Sequence, residues 1–215
     1  MLTVYGRKCS FNVQKVMWFI SELGIEHQHI EVGGRFGGLD SAEFALKNPN
    51  QRVPVIVDGT VTVWESQAIL RYLAARYGSS QYWHSDPAKR SSIDQWMDWS
   101  QTALQPNFLT GVFWGFYRTP EPKRDMAAVN RAIEKTANCL QLLDQLIGDK
   151  DYLLENDLTL ADIPTGTNLY RYYNLDIDRP SLPNVERWYA ALQSRDAYRD
   201  HVMVPFDDLF GRLDY

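Results

Sequence analysis

The stretch Asn48-Pro49-Asn50-Gln51-Arg52-Val53-Pro54-Val55-Ile56-Val57-Asp58-Gly59-Thr60-Val61-Thr62-Val63-Trp64-Glu65-Ser66-Gln67-Ala68-Ile69 decides the fold. Val53 to Val57 and Thr60 to Val63 are β-rich runs, and Asp58-Gly59 between them is a dipeptide favoured in tight hairpin turns. Proline inside a strand pattern cannot donate to the ladder, so Pro54 belongs at a strand start or edge. A cis bond there leaves the Val53 backbone to pair with something other than its own sheet. After the hairpin, Glu65-Ser66 opens a helix predicted over 65–77, with Ser66 as its cap. Free N–H groups at such a helix start form an anion site.

Upstream of this stretch, Leu2 to Tyr5 alternates like a strand and ends at Gly6. Val13, Val16, Met17, Ile20 and Leu23 carry the three-and-four spacing of a helix over 11–23, stopped by Gly24. Glu26 to Val32 reads as a second strand, with His27 and His29 on a solvated face. Ser41 to Lys47 reads as a short helix. Strand, helix and strand form a crossover, so the first two strands should be parallel, and the hairpin adds antiparallel partners. The expected first domain, residues 1–78, is therefore a four-stranded mixed sheet with helices against it.

Residues 79–86 are linker-like, and strand signals vanish beyond them. Helices are predicted over 88–116, 127–147, 159–173 and 183–195, making 87–215 an all-helical domain. Thr159-Leu160-Ala161-Asp162 reads as a T-x-x-D capping box.

Composition narrows the function. The 215 residues carry 22 basic and 27 acidic side chains, a net charge of −5, which argues against a partner bound through phosphate neutralisation. Residues 1–78 hold 8 basic and 7 acidic groups, so the acidity lies in the helical half. No apolar run exceeds five residues, so no membrane span is expected, and the N-terminus lacks a signal-peptide core. A cytoplasmic protein is expected. The two cysteines, Cys9 and Cys139, offer no CxxC or CxxH spacing, which excludes zinc ribbons, iron–sulfur clusters and a thioredoxin-type dithiol. The loop Gly33 to Gly38 lacks both the Gly-Lys-Ser/Thr ending and the G-x-G-x-x-G spacing of phosphate loops.

Three segments taken together, Ser10-Phe11-Asn12-Val13, the N-P-x-x-x-V-P-V run ahead of E-S-x-A-I, and Thr159-Leu160-Ala161-Asp162-Ile163, resemble the cytosolic glutathione transferase superfamily, in particular its serine-type phi and theta-like classes with their bacterial members. The resemblance covers the whole chain. It implies a thioredoxin-like domain followed by a helical one, a homodimer, and glutathione as co-substrate with no cofactor and no metal. Ser10 then matches the hydroxyl donor to the glutathione sulfur. Val53 matches the residue pairing strand-fashion with the cysteinyl unit, and Pro54 the cis-proline. Glu65 and Ser66 match the pair holding the γ-glutamyl ammonium and carboxylate. Arg52 lies where it can take a ligand carboxylate. Asn12, an amide donor at the same helix start, either shares the sulfur role or is solvated in the first turn. Phe11, Phe36, Phe113, Trp114 and Tyr117 are the expected hydrophobic wall for a small electrophile.

The chemistry needs little else. A free thiol ionises with a pKa of about 8.5, and a helix N-terminus with a hydroxyl donor about 3 Å from the sulfur lowers it. Two alternatives remain beside conjugation. One is a glutathione-dependent thiol transferase using Cys9, which lies one residue before the position where such cysteines fall. The other is a non-catalytic ligand-binding protein of the same fold.

Overall fold

The computed structural model describes residues 1–213. Four strands, β1 (Leu2–Tyr5), β2 (His27–Ile30), β3 (Val55–Asp58) and β4 (Val61–Trp64), form one sheet in the order β2-β1-β3-β4. β1 runs parallel to β2, with Val4 opposite His29, and antiparallel to β3, with Val4 opposite Ile56. β3 and β4 close the hairpin, Val55 opposite Trp64. Leu2 and Val4 are buried while Thr3 and Tyr5 are half-buried, the period-two pattern of a strand with one covered face.

The helices of this half are α1 (Phe11–Glu22), α2 (Ala42–Lys47) and α3 (Ser66–Tyr77). Gly24, at φ +62°, turns the chain out of α1 in the left-handed conformation that a side chain would disfavour. After Gly78 the chain builds α4 (Pro87–Trp99), α5 (Met126–Ile147), α6 (Asp162–Tyr173), α7 (Pro183–Gln193) and α8 (Asp196–His201). Asp86 caps α4 by accepting from the Ala88 N–H at 2.9 Å. Asp144 of α5 caps α7 from outside, its Oδ1 accepting from the N–H groups of Asn184 at 2.8 Å and Val185 at 3.0 Å.

Three expectations need correcting. The single helix over 88–116 is α4 followed by π-helical turns at Ser100–Leu104 and Pro106–Arg118. Pro106 has no N–H to return to the preceding turn and crowds it, so the ladder is widened there. The Thr119 N–H reaches back five residues to the Trp114 carbonyl at 3.0 Å. The helix read from Thr159 begins at Asp162. The reaching-back half of the expected capping box does form: the Asp162 carboxylate accepts from the Thr159 N–H and hydroxyl, both at 2.8 Å, and further from the Leu153 N–H at 2.9 Å and the Trp188 indole at 3.0 Å. Full burial pushes its pKa up to about 6 despite these donors. Finally α8, absent from the sequence reading, packs directly on α1.

The apolar interior is continuous across both halves. Trp18 of α1 meets Tyr198 of α8 edge-on at 4.8 Å between ring centres, and both are fully buried. α1 is packed by α3 on one side and by α6 and α8 on others. As a result Gln14, Lys15, Trp18 and Phe19 are buried along with the expected apolar stripe.

Candidate active site

The site is built on the turn from β1 into α1. Ser10 is the residue preceding the first turn of α1, with extended backbone (φ −71°, ψ 122°), and its side chain makes no capping hydrogen bond. Its hydroxyl therefore lies beside the unpaired first N–H groups of α1 without being used by them. Ser10, Cys9, Phe11, Asn12, Arg52 and Val53 line a cleft of about 490 Å³ whose far wall is Leu109, Trp114, Arg118 and Arg171 of the helical half.

A second recess of about 310 Å³ adjoins it, lined by Asn12, Asn48, Arg52, Val53, Pro54, Glu65, Ser66, Gln101 and Gln105. Asn12, Arg52 and Val53 face both. Ser10, Asn12, Arg52, Glu65 and Ser66, the polar residues expected to meet glutathione, thus surround two adjoining recesses. The loop is held by the buried Asn48, whose amide donates to the Arg52 carbonyl at 2.8 Å and whose Oδ1 accepts from the Asn50 N–H at 2.9 Å. The Val53–Pro54 bond is cis, and Val53 lies just ahead of β3, outside its ladder.

Glu65, not Ser66, is the residue before the first turn of α3, and it adopts φ +69°. A side-chain-bearing residue in that region is uncommon, and such backbone strain persists only where the surrounding structure holds it. The turn leaves the Glu65 side chain exposed while Ser66 becomes the first helical residue, buried, with its Oγ 3.5 Å from the Asn12 Oδ1. Expected as a cap, Ser66 instead offers its hydroxyl and the open N–H groups of α3 to the recess.

Lys15 is the group that sequence reasoning missed. It is fully buried, and its Nζ donates to the Asn12 Oδ1 at 3.0 Å and to the Gln105 Oε1 at 2.6 Å. Desolvation lowers its pKa to about 7, with the Glu65 carboxylate pulling the other way. On a helical wheel it is one lysine between apolar residues, and nothing in the pattern distinguishes it from a solvated one. Gln101 and Gln105, the contribution of the helical half to the recess, were likewise illegible, because they depend on how that half docks.

The apolar wall differs from expectation. Phe11 and Trp114 line the cleft, with the Arg118 guanidinium 3.7 Å from the Trp114 ring centre. Phe113 is fully buried, stacked on Tyr117 at 5.3 Å and against Phe206 at 5.4 Å. Tyr117 sits in the same aromatic cluster with Phe206 and Phe210, and neither Phe113 nor Tyr117 lines the cleft. The cause is the π-helical stretch: Leu109 and Trp114, five apart, share the cleft face where a 3.6-residue projection would favour other positions. Phe36 lines a neighbouring recess of about 550 Å³ with Cys9, Arg35, Pro205 and Asp207.

Cys9 and Cys139 are not joined in a disulfide, and the Cys9 carbonyl accepts from Arg171 at 2.7 Å. His27 and His29 are half-buried against α8 rather than solvated, lining a recess with Lys8 and His201. Among the described residues no cluster suited to a metal ion is found, and no helix is long and apolar enough to cross a membrane.

Two family models match the chain, glutathione S-transferase N-terminal domain over residues 1–75 and glutathione S-transferase C-terminal domain over residues 106–196. Among curated proteins, glutathione S-transferase GstB of Escherichia coli is 35% identical over 207 residues, covering 95% of this chain and 99% of its own. Glutathione S-transferase D6 of Drosophila melanogaster is 28% identical over 89% of this chain and 87% of its own. Among solved structures, the theta class glutathione S-transferase from Xanthomonas axonopodis pv. citri with glutathione bound superposes with a TM-score of 0.88 at 40% identity, covering 95% of this chain and 98% of that one.

Proposed function

The chain belongs to the glutathione S-transferase family and is a transferase of glutathione conjugation; from that premise we propose that its cleft binds glutathione along the Ser10 to Ser66 depression and sets the thiolate against small hydrophobic electrophiles. The γ-glutamyl end lies in the smaller recess, its ammonium facing the Glu65 carboxylate and its carboxylate facing Ser66 and the start of α3. The Val53 backbone pairs with the cysteinyl unit, and Arg52 takes a carboxylate of the tripeptide. This leaves the sulfur over the start of α1, within reach of the Ser10 hydroxyl and the Asn12 amide. The electrophile enters against Phe11, Leu109 and Trp114. Residues 1–78 then hold glutathione, 87–215 supply the opposing wall and 79–86 join them. A homodimer in the cytoplasm, with no nucleic-acid or membrane partner, completes the reading.

The observation that carries this proposal is the Ser10 hydroxyl, unused as a helix cap beside the open N-terminus of α1. Two or three oriented donors stabilise a thiolate more than a thiol, and each pKa unit corresponds to about 1.4 kcal/mol. Neither a general base nor a metal enters the step.

The test is Ser10→Ala. The thiolate absorbance of bound glutathione, followed against pH, should move to higher pH, and kcat/KM for conjugation at neutral pH should fall about 10- to 100-fold, the range for one hydrogen bond to a charged group. Cys9→Ala should retain conjugation. A bound thiol that titrates as in free solution would refute the activation, and loss of activity on replacing Cys9 alone would favour thiol transfer.

A further inference from the structure

We propose that Lys15 is a positioning residue of the transfer reaction: it holds the Asn12 side chain with its oxygen turned into the protein, so that the amide N–H is presented to the cleft. The inference rests on the reading above that Asn12 faces the glutathione sulfur.

An asparagine amide has one accepting and one donating end, and only its surroundings decide which end faces where. Around the Asn12 Oδ1 stand three donors from three elements. Lys15 Nζ of α1 is at 3.0 Å, Gln105 Nε2 of the helical half at 3.4 Å, and Ser66 Oγ of α3 at 3.5 Å. The ammonium is the strict member of this set, because it has three donors and no acceptor. A hydroxyl can rotate to accept, and Gln105 can turn over, but a protonated lysine tolerates only oxygen opposite it.

Gln105 is fixed by the same group. Its Oε1 accepts from Lys15 at 2.6 Å, which sends its Nε2 toward Asn12. The three side chains close a ring between the two halves of the molecule. Lys15 has no exposure to solvent, so its charged form is held against desolvation by these oxygens, by the Phe11 ring 4.9 Å away and by the field of Glu65. With the oxygen engaged inward, the Asn12 Nδ2 is left for the cleft and recess, both of which Asn12 lines.

The decisive experiment is a double-mutant cycle read as the pKa of the bound glutathione thiol. Asn12→Ala and Lys15→Met should each raise that pKa by about 0.5 to 1, the size of one hydrogen bond. The double variant should raise it no further than Asn12→Ala alone. kcat at neutral pH should fall several-fold in each, with a smaller change in KM for glutathione. Lys15→Gln keeps a polar head but carries an acceptor that lets the amide turn over. It serves as the companion variant and should reproduce the Lys15→Met result.

If the effect of Lys15→Met persists in full in the Asn12→Ala background, the ammonium acts on the sulfur directly and the positioning role is overturned. If Asn12→Ala shifts the thiol and both Lys15 variants do not, the inference fails while the role of Asn12 stands. If Asn12→Ala itself leaves the thiol unchanged, Asn12 is no sulfur donor, and the inference falls with that part of the function while Ser10 is unaffected.

Discussion

Lys15 is the residue at which charge and burial conflict most. Its pKa is lowered from the ordinary 10.5 to about 7. The charged group concerned is Glu65, whose field opposes the shift. In the empty protein the folded chain then binds fewer protons than the unfolded chain between those two values. Stability from this group therefore rises as pH climbs from about 7 toward 10.5, and the charged form below pH 7 is the costly one. Lys15→Met should stabilise the empty protein most at acidic pH, with the advantage shrinking under alkaline conditions, as read from urea midpoints. A difference between the two proteins that ignores pH would show Lys15 ionising normally. Residue-scale chemistry was legible in the sequence where the signal is local. Ser10 at a helix start, Pro54 at a strand start and Glu65-Ser66 after a hairpin each announce a turn. Lys15 and Gln105 were not, since 90 positions separate them and their meeting is decided by docking.

Among the elements, α1 and α8 depend on each other. Glu22 at the end of α1 receives Arg195, which precedes α8, through two bonds of 2.7 and 2.6 Å, and also accepts from the Trp18 indole at 2.8 Å. Arg195 donates further to the Tyr152 hydroxyl at 2.9 Å. The Glu22 side chain is only 7% exposed, so removing its partner strands a buried carboxylate. Arg195→Ala should cost about 2–3 kcal/mol, below the fully buried case because Arg195 itself reaches water. Urea denaturation measures it, and a loss within error would mark the pair as a surface ornament. α8 escaped the sequence reading because its six residues carry too little periodicity to see. The π-helical stretch escaped because a 3.6-residue template was laid across Pro106. Phe113 and Tyr117 were expected on the cleft because the stretch is rich in aromatic residues, whereas their rings pack into the cluster around Phe206.

Across the whole molecule one apolar interior is shared by sheet and helices, from Leu2 and Val4 through Trp18 to Phe108, Trp188 and Tyr198. The fold class was readable because strand signals stop at the hairpin and helical ones take over after residue 86. The docking of the halves was not, since α1 is buried well beyond the one apolar stripe that its spacing shows, Gln14, Lys15, Trp18 and Phe19 included. A shared interior predicts one cooperative transition: urea unfolding followed by tryptophan fluorescence and by far-ultraviolet circular dichroism should give coincident curves. Two separated transitions would mean that the halves unfold independently. The helix bearing Ser10 is walled in by neighbours from both halves. On the function proposed above, the tripeptide meets a floor already packed from both sides, and ordering that floor costs little entropy on arrival. Discrimination among incoming electrophiles is then left to the opposite bank, where the widened turns hold their tryptophan.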